Sequence, residues 1–174
     1  MMRAIGEETL AIAASLDAIS ARSTKPNLFV IASDPTAGLY AGAASAVRAP
    51  GSFSAWCILS MARATHRLRR VDARTLAITA EPGMLYGSFE TVFRGDDRPF
   101  SVGDEIELEA VRVKVIAAQG GHPTTIEVAF KAASIEDPGL QIVAWIDGRL
   151  QAVPIPEIGG ILEIPWSPGP VGMF

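Results

Sequence analysis

The chain has 174 residues, of which 49% are apolar and 20% charged, with a formal net charge of −4. That composition has ample material for a packed core and excludes a disordered chain and a globally basic nucleic-acid binder. One cysteine, Cys57, and two histidines, His66 and His122, rule out an intrachain disulfide, a Cys/His zinc spacing and a His-rich metal centre, and no cofactor motif stands out. The cysteine usage suits a reducing compartment.

From the N-terminus, residues 5–20 predict a helix. Ile5, Ile12, Leu16 and Ile19 recur on one face at helical period, Glu7 and Glu8 fall in the first turn, and Arg22 follows the last. The two glutamates also interrupt what a signal peptide would keep apolar. No apolar run reaches the roughly 18–20 residues a membrane span needs; the charge-free stretches 35–47 and 49–62 are too short and Arg48 separates them.

Residues 28–32, Leu-Phe-Val-Ile-Ala, form a continuous apolar run that suits a strand covered on both faces. Asp34 and Pro35 are a favourable N-cap and first helical residue, so 36–48 reads as a helix ended by Ala49-Pro50-Gly51. A second buried strand is expected at 55–61. Together these give one β-α-β unit behind the N-terminal helix.

The corner at Ser33-Asp34 invites comparison with catalytic turns. Gly-x-Ser-x-Gly, Gly-x-Gly-x-x-Gly and the Walker A loop are all absent. Ser33 and Asp34 either line a pocket at a strand end or Asp34 caps the helix, and the Asp-Pro pair favours the cap. Gly38 and Gly42, four apart among alanines, suit close packing of a helix on a sheet more than a partner-binding face.

After residue 62 alternation replaces continuous runs. Residues 65–80 read as a hairpin turning near Asp72-Ala73, with Leu68 opposite Leu76, His66 and Ile78 on that face, and Arg67 and Arg69 on the other. Residues 103–118 form a hairpin turning at Glu109-Ala110. It pairs Leu108 with Val111, Ile106 with Val113, Glu107 with Arg112 and Glu105 with Lys114. Ile126, Val128 and Phe130 face inward on a further strand, and His122 reads as a turn residue. Asp147-Gly148 is a type I′ signal that sets Trp145 across from Leu150, and 159–165 supplies a last strand.

The expected class is therefore α+β: an N-terminal helix and one β-α-β unit, then an antiparallel β-barrel or sandwich of six to eight short strands. The expected division is an α/β lobe at 1–62, an antiparallel β lobe at 63–165 and an irregular apolar tail at 166–174.

Chemistry-bearing residues are few. Arg63, Arg67, Arg69, Arg70 and Arg74 are five arginines within twelve residues of an otherwise acidic chain. They read either as a solvated hairpin face or as a patch for phosphate, anionic lipid headgroups or an acidic protein surface. Nucleic acid is disfavoured, since exposed aromatics for base stacking are lacking. His66 shares a face with Leu68 and reads as a core-edge histidine. The acidic run 103–109 alternates with apolar residues, so it reads as structural. Trp166, Met173 and Phe174 make the tail apolar; it either folds back on a core edge or docks on another chain.

Four segments carry a resemblance: the Arg-rich hairpin, Phe-x-x-Val-Phe-Arg at 89–94, the 103–113 hairpin, and the close Asp-Pro-x-Leu…Trp-x-Asp-Gly-Arg-Leu. In these the chain resembles the C-terminal soluble region of uncharacterised bacterial multi-pass membrane proteins, over about two-thirds of its length. The resemblance implies no catalytic residue. It implies a detached extramembrane module bound to a membrane partner.

The expected function is thus a non-catalytic accessory subunit, cytoplasmic and peripheral on a membrane-embedded assembly, using Arg63, Arg67, Arg69, Arg70, Arg74, Trp166, Met173 and Phe174 as its contacts. The alternatives are a small hydrolase-like enzyme at the Ser33-Asp34 corner, or a small-ligand-binding β-barrel.

Overall fold

The computed structural model describes residues 14–16, 19, 27–33, 38, 42, 53–86 and 98–168. These carry ten strands in two sheets. The chain divides into two compact units, Met1–Met61 with Pro138–Val153 and Trp166–Phe174, and Ala62–Asp137 with Pro154–Pro165.

The first unit holds a four-stranded sheet in the order β2-β1-β8-β9, from β1 (Asn27–Ile31), β2 (Ala55–Ile58), β8 (Leu140–Ile146) and β9 (Arg149–Ala152). β1 is central and parallel to both neighbours: Phe29 pairs Cys57 on one side and Ile142 on the other. Four of its five residues are buried, which is why it reads as a continuous apolar run. β8 and β9 form the expected hairpin. Trp145 lies across from Leu150, and Asp147 and Gly148 at φ 50° and 75° make the left-handed turn that matches strand twist. Leu16, Ile19, Leu28, Val30, Val143, Trp145 and Leu150 form its buried core, with Phe53, Trp56 and Ile58 against it.

The second unit is a six-stranded antiparallel sheet in the order β10-β3-β4-β7-β6-β5. Its strands are β3 (His66–Arg70), β4 (Thr75–Ala80), β5 (Glu105–Glu107), β6 (Val111–Gln119), β7 (His122–Phe130) and β10 (Ile161–Ile164). One face carries the core: Leu68, Leu76, Ile78, Val111, Ile126, Val128 and Phe130 are buried. β6 bulges between Val115 and Ala118, which adds local twist. At the β6–β7 turn Gly121 has φ 82°, and a Cβ there would meet Pro99 Cβ at 2.7 Å, so both backbone and space require glycine.

The expected class does not stand. The described residues are mostly β, in two open sheets, and neither closes into a barrel. The N-terminal helix and the β-α-β unit are not shown: described helical backbone is confined to residues 14–16, 19, 38 and 42, and the rest of both expected helices lies outside the described residues. The larger difference concerns 140–152. This hairpin was expected in the antiparallel lobe, but β8 pairs in parallel with β1. The physical reason is that Ile142, Val143, Ala144 and Trp145 are all buried, a strand covered on both faces, which only a central position satisfies. The 65–80 hairpin keeps its expected faces but slips by two residues: Leu68 pairs Ile78, and Arg70 pairs Leu76. The 103–118 hairpin has the expected pairs, yet Ile106 and Leu108 remain exposed at the sheet edge.

Candidate functional site

The Ser33 corner ends β1. Ala32 sits at φ 51°, left-handed for a residue with a Cβ. Ser33 is fully buried, and its Oγ has no hydrogen-bond partner among the described residues. A Cβ on Gly38 would come within 2.8 Å of that oxygen, so the hydroxyl is packed against chain and opens onto no solvent. Asp34 lies outside the described residues.

His66 belongs to the other compact unit and is also fully buried. Its Nδ1 lies 2.9 Å from the Ala64 carbonyl, and in that geometry Nδ1 carries the proton and donates it. Burial pushes its pKa down to about 4, with the Ala64 hydrogen bond acting the other way, so the ring is neutral at pH 7. His122 is half-buried. It is the first residue of β7 rather than a turn residue, and its ring meets Tyr86 edge-on at 5.1 Å. A cavity of about 680 Å³ is lined by Glu81, Pro82, Ala118, Gln119 and Thr124, where Glu81 is the only ionisable group among the described residues. Among the described residues no group of three His, Cys, Asp or Glu is placed to hold a metal ion. Cys57 is a free, half-buried thiol whose pKa burial raises.

The arginine cluster is divided by strand alternation. β3 reads buried, exposed, buried, exposed, buried, so Arg67 and Arg69 point outward while Arg70 turns in. Arg70 donates to Glu136 Oε1 at 3.0 Å, to the Asp72 carbonyl at 3.3 Å and to the Pro156 carbonyl at 3.4 Å. It is a structural cation that ties the β3–β4 hairpin to two loops. Arg63 is exposed just before β3, and Arg74 is exposed in the turn, where its backbone N–H donates to Asp72 Oδ1. That hydrogen bond is the main cause holding the Asp72 carboxyl below its usual range.

Arg67 and Arg69 open onto a larger ordered surface. Cross-strand pairing aligns Ile161, Arg69, Ala77, Glu127, Lys114 and Glu105 in one row across all six strands. A second row runs Glu163, Arg67, Thr79, Thr125, with the two threonine hydroxyls 3.0 Å apart. A third runs Thr75, Ala129, Arg112, Glu107. The outer face thus has basic columns on β3 and β6, two glutamates on β5 and one, Glu163, on β10, with alanines, threonines and Glu127 between. Arg67 pairs Glu163 at 3.2 Å, Lys114 pairs Glu105 at 3.0 Å, and Lys131 pairs Glu107 at 2.7 Å. The Lys114 contact lowers the Glu105 pKa. All are solvated pairs, whose contribution water keeps small.

The arginine hairpin and the Glu105–Lys114 pairing are readable in the sequence. What sequence reasoning missed is that β3 and β6 are columns of one face, because β4 and β7 lie between them. No local signal carries that order.

No family model matches this chain, and no curated protein and no solved structure matches it. The surface therefore has to be read from its own residues.

The described part of the tail is bound within its own unit. Ser167 Oγ donates to the Trp145 carbonyl at 3.2 Å, and Trp145 Nε1 donates to the Pro168 carbonyl at 3.0 Å. Trp166 keeps 36% of its surface exposed. Met173 and Phe174 lie outside the described residues.

Proposed function

We propose that this chain is a non-catalytic accessory subunit that docks on a larger, membrane-embedded assembly through the outer face of the six-stranded sheet. The observation that carries the reading is the outward pair Arg67 and Arg69, set on a rigid, open sheet face with ordered charge columns. A sheet face with charges set in register discriminates between partners by pattern. Arg63 and Arg74 extend the basic column at either end of β3. Arg70 leaves the contact set, because its guanidinium is used inside the fold. Trp166 is the exposed apolar residue that the tail contributes, with Met173 and Phe174 as further contacts.

Further features agree with this seat. No helix among the described residues is long and apolar enough to cross a membrane. The resemblance to C-terminal regions of multi-pass membrane proteins is the ground for a membrane partner, and the unbridged Cys57 suits its cytoplasmic side. A hydrolase at Ser33 has less support, since a hydroxyl with no solvent access reaches no substrate.

The test is sedimentation of the purified chain with native membranes stripped of peripheral proteins. Wild type should co-sediment, Arg67→Glu/Arg69→Glu should lose about tenfold or more in apparent affinity, and protease-treated membranes should not bind. Binding unchanged by the charge reversal, or ester hydrolysis abolished by Ser33→Ala, contradicts the proposal.

A further inference from the structure

Within the docking face, most charges already have partners. Arg67, Lys114 and Lys131 are each bound to a glutamate. Arg69 and Arg112 are exposed and make no ion pair among the described residues, and neither does Glu127. Within the strands of the face these three are the charges left without an ion pair, and Arg63 and Arg74 lie beyond the ends of β3.

Their spacing is fixed by pairing. Arg69 sits opposite Ala77, and Arg112 sits opposite Ala129, two residues further along and three strands across. At about 4.8 Å per strand and 3.4 Å per residue, their Cα atoms are about 16 Å apart on a diagonal. That diagonal passes over Ala77 and Ala129, with Thr75 and Glu127 beside it. Ala77 is buried and Ala129 half-buried between their neighbours, so contact along this line falls to the longer side chains, with the two guanidiniums at its ends.

Building on the docking role proposed above, we infer that the partner's contact element is an α-helix carrying two carboxylates eleven residues apart, with a basic residue between them for Glu127. Eleven residues of α-helix rise about 16 Å and return to within about 20° of the same face. An extended strand does not fit, because a five-residue step of about 17 Å puts the two side chains on opposite faces. Anionic lipid fits poorly too. Glu105, Glu107, Glu127 and Glu163 share the face with its basic side chains, so a uniformly negative surface meets repulsion with each attraction. A second copy of the same face is disfavoured as well: turned over about an axis along the strands, it sets the β3 column against the β6 column, basic on basic.

The experiment uses the full chain, isotope-labelled, at about 150 mM salt, where long-range attraction is screened. Three probes are compared. One is an alanine-rich helical peptide with two glutamates eleven apart and a lysine midway. The second has the same composition with adjacent glutamates. The third is vesicles of phosphatidylcholine and phosphatidylglycerol. The spaced peptide should bind about tenfold or more tighter than the clustered one and shift the amides of Arg69, Ala77, Ala129 and Arg112. Arg69→Glu/Arg112→Glu should erase the discrimination, with the amide spectrum of the rest of the sheet retained as the check on folding. Equal binding of the two peptides, discrimination that survives the double reversal, or vesicles binding as tightly as the spaced peptide overturns the inference. Membrane sedimentation retained without peptide discrimination sinks this inference alone. Discrimination retained while sedimentation fails leaves it standing and removes the membrane seat.

Discussion

At the scale of single residues, two buried polar groups decide how the fold responds to its environment. His66 is neutral in the fold, with its pKa depressed to about 4 from an ordinary 6.5. The unfolded chain therefore takes up a proton on this ring between pH 6.5 and 4 that the folded chain refuses. Stability is full above about pH 6.5 and falls as pH drops toward 4, by about 3 kcal/mol from this group. Denaturant midpoints measured across that window should show the slope, and His66→Phe should flatten it. Arg70 is the second group. Arg70→Met removes hydrogen bonds to Glu136, Asp72 and Pro156 and should cost about 2 kcal/mol. Arg69→Met, on the same strand but exposed, should fall within about 0.5 kcal/mol of wild type in the same urea melt. Sequence alternation separates Arg67 and Arg69 from Leu68. It also puts Arg70 on the inward face with Leu68, but it does not reveal what lets a guanidinium be buried there, a carboxylate 66 residues away.

At the scale of elements, legibility follows the range of the contacts. The 103–118 hairpin is readable in full, because turn, apolar pairs and opposite charges all agree on one register within a few residues. The Asp147-Gly148 turn is readable for the same reason. The 65–80 hairpin is readable only to its faces: a two-residue slip keeps every side chain on the same side, so alternation cannot distinguish the two registers. Gly38 and Gly42 behave as close-packing glycines. A Cβ on Gly42 would lie 2.9 Å from the Trp56 ring, and Trp56 Nε1 donates to the Gly38 carbonyl at 2.9 Å. Gly42→Ala should therefore lower stability by about 1–3 kcal/mol through overpacking, read as a lower thermal midpoint, despite the higher helix propensity of alanine.

At the scale of the whole molecule, the sequence conceals which strands meet. Residues 142–145, Ile-Val-Ala-Trp, are as continuous an apolar run as 28–32, and that signal places β8 in the interior of a sheet. The adjacent Asp-Gly turn points instead to a local hairpin, and both are true at once, since β8 pairs β9 on one edge and β1 on the other. The order β10-β3-β4-β7-β6-β5 is likewise set by long-range pairing, and it alone brings the columns of β3 and β6 onto one face. The central claim is that this face is held by another protein. A benzophenone amino acid placed at Thr79, between Arg67 and Thr125 on that face, tests it directly in intact cells. Irradiation should yield one discrete protein adduct from Thr79 and none from the same probe at Arg149 on β9; no adduct from Thr79, or an equal one from Arg149, contradicts the account.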